Sequence, residues 1–256
     1  MADNFYTLPR ELLSEIIGYL PTTSRATLLH ALPLLRPTVS QSLIHSPNLT
    51  EDRNTLLHTL SIHGDAKLLA ALLSSQPSMP CTILDKSKRT PLSLACEAGH
   101  LTIVKLLCGW KDAKPDASDP RDSRFPGRTP LSWAAGAGHL EIAKYLIESN
   151  LSTPDKADSW ARTPLLWAVK GGHVPVVQYL VRQVNMFGYL DSEPSNEDPD
   201  LNSYLPIPFC DLVGINNDDE DGITPLLCAV QTRNTEIVGI LLMRMDLNIN
   251  RRFGMN

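Results

Sequence analysis

Three histidines, His100, His139 and His173, each follow a glycine at the same place in three near-copies of one stretch. These read RTPLSLACEAGHLTIVKLL at 89–107, RTPLSWAAGAGHLEIAKYL at 128–146 and RTPLLWAVKGGHVPVVQYL at 162–180. Imidazoles can bind a metal or relay a proton, but only where the rings converge. Copies that pack side by side hold equivalent residues about 10 Å apart, one helix spacing, which is too far for a single ion. The histidines are therefore read as structural, and no metal is expected. Cys96 and Cys228 fall among small apolar residues of the copies, where a thiol replaces Ala and would be buried and inert. The chain holds no G-x-x-x-x-G-K-[ST], no G-x-G-x-x-G behind a strand, no H-E-x-x-H and no G-x-S-x-G. Enzyme chemistry has no constellation to stand on, with no catalytic residue and no cofactor expected.

The elements that carry these residues can be read from one copy. Thr129 is a good helix N-cap and Pro130 suits the first helical position, where its missing N–H is harmless. Leu131, Ala134 and Ala135 then share a face whose small size lets neighbouring helices approach closely. Gly138 closes this first helix as a left-handed cap, as Gly99 and Gly172 do, and His139 leads into a second helix. There Ile142, Ala143, Tyr145 and Leu146 match Ile103, Val104, Leu106 and Leu107, then Val176, Val177, Tyr179 and Leu180, then Ile237, Val238, Ile240 and Leu241. One such pair is too small to bury its own apolar face, so each copy must cover the next.

Aligned on the threonine, the copies start at Thr90, Thr129, Thr163 and Thr224, with a degenerate one at Thr55, at spacings of 35, 39, 34 and 61 residues. A period near 33 carrying T-P-L-x-x-A resembles the ankyrin family over residues 50–256. The resemblance implies an all-α solenoid of about five helix-pair units joined by short hairpin loops. The units lie near 50–84, 85–121, 122–157, 158–184 and 219–256, within an array spanning 49–256. This chain departs from the family at the His that usually follows T-P-L, replaced by Ser93, Ser132, Leu166 and Leu227. That puts the helix-to-loop hydrogen bond in doubt for the last two. In the final copy Arg233 and Asn234 stand for Gly-His, so that helix end is expected to cost about 1 kcal/mol.

The resemblance further implies a partner-binding surface made of residues just before each Thr and late in each first helix. Arg89, Arg128 and Arg162 share one register and would form a basic ladder, either reading an acidic peptide or phosphoprotein or simply solvated. Trp133 and Trp167 share another register, as a packed stripe between helices or as partner anchors. Trp160 belongs at a fingertip with little to pack against, which makes it the favoured anchor, and Lys170 completes the set. The fifth unit offers Asp219, Glu220 and Asp221 at its fingertip instead.

Two connections exceed the period. Residues 110–127 add about six, and the insert at 185–218 adds about 28, with YLPIPFCDLVGI embedded where part of it can pack. The chain closes on LLMRMDLNINRRFGMN, and D-x-N is how such a unit hands on to a successor, so the array is expected to be cut here. At the other end LPRELLSEIIGYL (8–20) sets Leu12, Leu13, Ile16, Ile17 and Leu20 on one wide helical face. It resembles the opening of an F-box. That resemblance implies that Leu8, Pro9, Leu12, Ile16 and Leu20 dock on the adaptor subunit of a cullin-type ubiquitin ligase while the array holds a client. The competing reading makes residues 1–48 a cap on the open end of the array, in a scaffold or transcriptional co-regulator with no link to ubiquitin.

Composition fits a folded interaction protein, with 256 residues of which 43% are hydrophobic. No run reaches the ~18 apolar residues of a membrane span and no signal-peptide core opens the chain, so a cytoplasmic or nuclear protein without membrane contact is expected. The five cysteines include no C-x-x-C pair, which speaks against disulfides and zinc. Ten of the 28 acids and no Lys or Arg fall between Gln183 and Thr232, leaving 23 bases against 18 acids elsewhere. So segregated an acidic block argues against direct nucleic-acid binding there.

Overall fold

A computed structural model describes residues 56–75, 80–120, 126–181, 214–244 and 247–248. The F-box-like positions Leu8, Pro9, Leu12, Ile16 and Leu20 lie outside the described residues, as do 185–213 of the acidic insert, Cys210 and the last residues of the chain. The described residues form ten α-helices and no strand, in five pairs: α1 (Leu56–His63) with α2 (Ala66–Ser75), α3 (Pro91–Ala98) with α4 (Leu101–Cys108), α5 (Pro130–Ala137) with α6 (Leu140–Glu148), α7 (Pro164–Lys170) with α8 (Val174–Val181), and α9 (Pro225–Gln231) with α10 (Thr235–Leu242). The chain divides into two units, Met1–Pro126 and Gly127–Asn256. In the first, α1 packs on α3 and α2 on α4; in the second, α5 packs on α7 and α7 on α9, while α6 packs on α8 and α8 on α10. The all-α helix-pair repeat expected from the sequence is the observed fold.

The first helices of the last four pairs start as their letters dictate. The hydroxyl oxygens of Thr90, Thr129, Thr163 and Thr224 accept from the amides of Ser93, Ser132, Leu166 and Leu227 at 3.1, 3.1, 3.3 and 3.2 Å, with Pro next in line. Nine residues after each threonine the backbone turns left-handed, at Gly64, Gly99, Gly138, Gly172 and, in the last copy, Arg233 with φ 56°. Two of these glycines answer a second demand. A Cβ on Gly64 would meet the His100 ring at 2.6 Å, and one on Gly138 would meet Nδ1 of His173 at 2.5 Å.

Those rings are ties between neighbouring pairs. His100 Nε2 donates to the carbonyl of Ile62 at 2.9 Å, and His173 Nε2 donates to that of Gly136 at 3.0 Å, each reaching the end of the preceding first helix. In the fifth pair Asn234 takes that position and serves its own helix instead, its Oδ1 accepting from the Ile237 amide at 3.1 Å and capping α10. The Gly-His replacement therefore costs less than Arg233 alone would suggest.

The helix-to-loop bond is made in the degenerate first copy. His58, three after Thr55, is buried, and its Nε2–H is shared by the carbonyls of Ile83 at 3.1 Å and Arg89 at 3.3 Å. Ser93 Oγ makes the analogous reach to Asp119 Oδ1 at 3.1 Å, whereas Leu166 only packs, at 2% exposure.

Burial holds the His58 imidazole below its ordinary value of 6.5, against the attraction of Asp85 and the hydrogen bonds to the Arg89 and Ile83 carbonyls, with the Arg89 charge adding a smaller push in the same direction as burial. Above that value folded and unfolded chains are both neutral and the bond contributes in full. As pH falls below it the unfolded chain takes the proton first, so stability is lost downward through the folded value. His58→Gln should flatten part of this dependence: between about pH 7.5 and about pH 5.5 the urea midpoint of the native chain should fall further than that of the variant. Equal falls in the two chains would exclude His58 as the source.

Candidate partner-binding face

The turns that lead into Thr90, Thr163 and Thr224 are each built around one buried aspartate. Asp85, Asp158 and Asp219, each five before its Thr, are buried to 5, 7 and 7% exposure. Each folds its carboxylate back on its own turn. Asp85 Oδ1 accepts from the Arg89 amide at 2.8 Å; Asp158 Oδ1 accepts from the amides of Trp160 and Arg162, both at 2.9 Å; Asp219 Oδ1 accepts from those of Asp221 at 3.1 Å and Ile223 at 2.9 Å. The backbone closes the same loops in reverse, Asp85 N to Arg89 O, Asp158 N to Arg162 O and Asp219 N to Ile223 O. The residue two before each Thr is left-handed throughout: Lys88, Gly127, Ala161 and Gly222 at φ 62°, 77°, 58° and 73°. The recurring Asp was the available signal. In the fifth copy Asp219, expected as fingertip charge, is interior instead.

The second oxygens of these carboxylates position the candidate side chains. Asp158 Oδ2 accepts from the Trp167 indole Nε1 at 3.0 Å. Asp219 Oδ2 takes Arg162 Nε at 3.2 Å, the two side chains being 18 and 4% exposed. Held this way, the arginines and tryptophans of the second unit interleave. The Arg128 guanidinium carbon lies 3.8 Å from the centroid of the Trp133 ring and 3.9 Å from that of Trp167. That of Arg162 lies 4.9 Å from Trp160 and 5.6 Å from Trp167, and Lys170 Nζ lies 5.6 Å from Trp167. Arg128 Nη2 also donates to the Ser132 carbonyl at 2.9 Å, in space left open by Gly136, whose missing Cβ would meet that same nitrogen. A cation desolvated against an indole face is worth up to about 2 kcal/mol.

This geometry revises the expected surface. Arg128 and Trp133 are 6 and 2% exposed, so they belong to the packed interior of the column and not to a solvated ladder. Arg89 is engaged as well, with Asp85 at 3.4 Å and Glu97 at 2.8 Å. Trp160 has more to pack against than a bare fingertip provides: Arg162 covers its ring, and its carbonyl accepts from the Glu220 amide at 3.1 Å. Of the residues expected at the face in the second unit, Trp160, Arg162 and Trp167 are partly exposed and Lys170 is exposed. Next to them the last described residues of the insert pack down, with Ile215 buried and the Gly214 amide and Asn217 Nδ2 donating to Asp155 Oδ2 at 3.0 and 2.8 Å.

Little here supports other chemistry. Burial pushes the thiols of Cys81 and Cys108 up to about 12, Cys81 with help from Asp112, and raises those of Cys96 and Cys228. Protonated, and in Cys81, Cys96 and Cys228 also buried, they are poor nucleophiles. Among the described residues no three His, Cys, Asp or Glu side chains converge as a metal site, and no helix is long and apolar enough to cross a membrane. A cavity of about 150 Å³ in the first unit, walled by Cys81, Leu84, Leu92, Leu107, Ala113 and Pro120, is small beside the ~300 Å³ or more of ordinary ligand pockets.

No curated protein matches the chain. Family models do: one described as ankyrin repeats (3 copies) covers residues 28–119 and 111–188, and one described as ankyrin repeat covers 221–252. Threonine-capped first helices, left-handed closures, histidine ties and most of the chain's length thus agree. The chain belongs to the ankyrin-repeat family, and its repeats make it a protein–protein interaction module.

Proposed function

We propose that this protein is a client receptor with no reaction of its own, working in the cytoplasm or nucleus, in which the edge formed by Trp160, Arg162, Trp167 and Lys170 grips a protein partner. The observation that carries this reading is the combination of fixity and exposure. Buried Asp158 and Asp219 hold Trp167 and Arg162 in place while leaving part of each side chain in solvent. Tryptophan and arginine are the side chains most often found at interface hot spots, and anchoring them beforehand lowers the ordering cost of binding.

For residues 1–48 the proposal is an F-box-like segment docking through Leu8, Pro9, Leu12, Ile16 and Leu20 on the adaptor subunit of a cullin-type ligase, which would mark the client for ubiquitination. The support is LPRELLSEIIGYL itself. A second reading has one observation in its favour: the ankyrin match begins at residue 28, inside that segment, as expected if its later part caps the array of a scaffold or co-regulator.

The full chain and its Leu12→Asp/Ile16→Asp variant, each mixed with the adaptor subunit and run by size exclusion, separate the two. Co-elution of the native chain alone, with unchanged melting of the variant, supports the F-box. A native chain that elutes by itself, or a variant whose melting collapses, supports the cap. On the client side, proteins retained by the native chain should be lost by Trp160→Ala; identical binders would remove this edge from the reading.

A further inference from the structure

The residue seven places after the threonine changes charge along the chain, Glu97, Gly136, Lys170, Gln231, and in the first two of these copies it meets the arginine that precedes the threonine. In the first unit this position neutralises its arginine, Glu97 Oε2 accepting from Arg89 Nη1 at 2.8 Å. In the second it does not. Gly136 leaves space that Arg128 fills, and Lys170 adds a further cation where Glu97 supplied an anion. Trp167 consequently has three cationic groups around one ring, Arg128 at 3.9 Å and Arg162 and Lys170 at 5.6 Å.

The anions present do not answer them equally. Asp158 and Asp219 are buried and committed to their own turns. Asp221, 72% exposed, stands 3.8 Å from Arg162 Nη2, beyond hydrogen-bond distance. Lys170 has Trp167 for company and no carboxylate within ion-pair distance among the described residues. The edge thus has one guanidinium face covered loosely by an exposed aspartate and an exposed ammonium left over, beside two partly exposed indoles.

We infer that this edge is a carboxylate-reading site: an Asp or Glu side chain on an acidic segment of a protein partner takes Lys170 and displaces Asp221 from Arg162. Asp221 then acts as a resident competitor, holding the place of the partner's carboxylate in the free protein. The inference rests on the proposed use of this edge for partner binding and adds the chemistry of the partner.

The test uses the full chain, a fluorescent poly-glutamate peptide as probe and a poly-glutamine peptide of equal length as control, read by anisotropy at low and high salt. Poly-glutamate should bind more tightly than poly-glutamine, and added salt should weaken it. Lys170→Glu should weaken binding about tenfold and Asp221→Asn strengthen it about threefold. Both side chains are exposed, so melting curves should stay at the native position. Equal binding of the two peptides, indifference to Lys170→Glu, or no gain with Asp221→Asn overturns the assignment. So does equal-length single-stranded DNA bound as tightly with the same dependence on Lys170. If poly-glutamate ignores the edge while Trp160→Ala still loses a client, the interaction face stands and only its carboxylate chemistry fails.

Discussion

Asp158→Ala should destabilise the second unit by about 4 kcal/mol, the largest effect expected of any single side chain described here. One buried carboxylate accepts three hydrogen bonds, from the amides of Trp160 and Arg162 and from the indole of Trp167. Truncation strands all three donors in a site where Asp158 itself is 7% exposed. Hydrogen bonds to a charged group contribute about 1.5–3 kcal/mol each, and three that share an acceptor sum to less than their parts. Asp158→Asn distinguishes the roles. Its amide oxygen can still receive the two backbone N–H groups, but its NH₂ would confront the indole N–H, donor against donor, so about half the loss should remain. Three of the four tryptophans lie in the second unit, so urea unfolding followed by indole fluorescence reports mainly on it. A midpoint for Asp158→Ala within about 1 kcal/mol of native would show that the turn closes through its backbone alone.

The repeat was legible because each of its signals is local. A threonine followed by proline caps a helix whatever surrounds it, and a left-handed position beyond the helix end favours glycine for steric reasons alone. The side-chain column was not legible, because it depends on which side chains the neighbouring copy presents. Arg89, Arg128 and Arg162 occupy one sequence register, yet Arg89 pairs with Glu97, Arg128 lies between two indoles and Arg162 is tied to Asp219. What separates them is the residue seven after the threonine in the same copy together with the aromatic content of the adjacent pair, and the second of these no single copy contains. Likewise Trp133 and Trp167 are both four after a threonine but differ in exposure, because only Trp133 is enclosed at 2%. The recurring Asp85, Asp158 and Asp219 could have been found by carrying the alignment five residues upstream of each threonine. Neighbouring charge masks the last of them, since Asp219 looks like one acid among Asp218, Glu220 and Asp221.

Arg128→Ala should cost about 3 kcal/mol, and Arg128→Lys should recover little of it. The guanidinium stacks within 3.9 Å of two indole centroids and donates to the Ser132 carbonyl at 2.9 Å, so truncation removes two desolvated cation–π contacts and one charged hydrogen bond and opens a slot between the rings. Lysine keeps the charge but has no plane to lie between two planes, and its compact, strongly hydrated ammonium resists the dry slot. Because the site is buried, the loss should persist at high salt, where an exposed ion pair would fade. A lysine variant as stable as the native chain would reduce the column to charge alone. The same substitution tests how the interior supports the surface. Trp167 is held by Asp158 at its nitrogen and by Arg128 against its ring, so removing Arg128 should also loosen the indole beside Lys170. Partner affinity should then fall although no exposed residue has changed, since part of the binding energy must be spent on ordering a ring that the native column already holds.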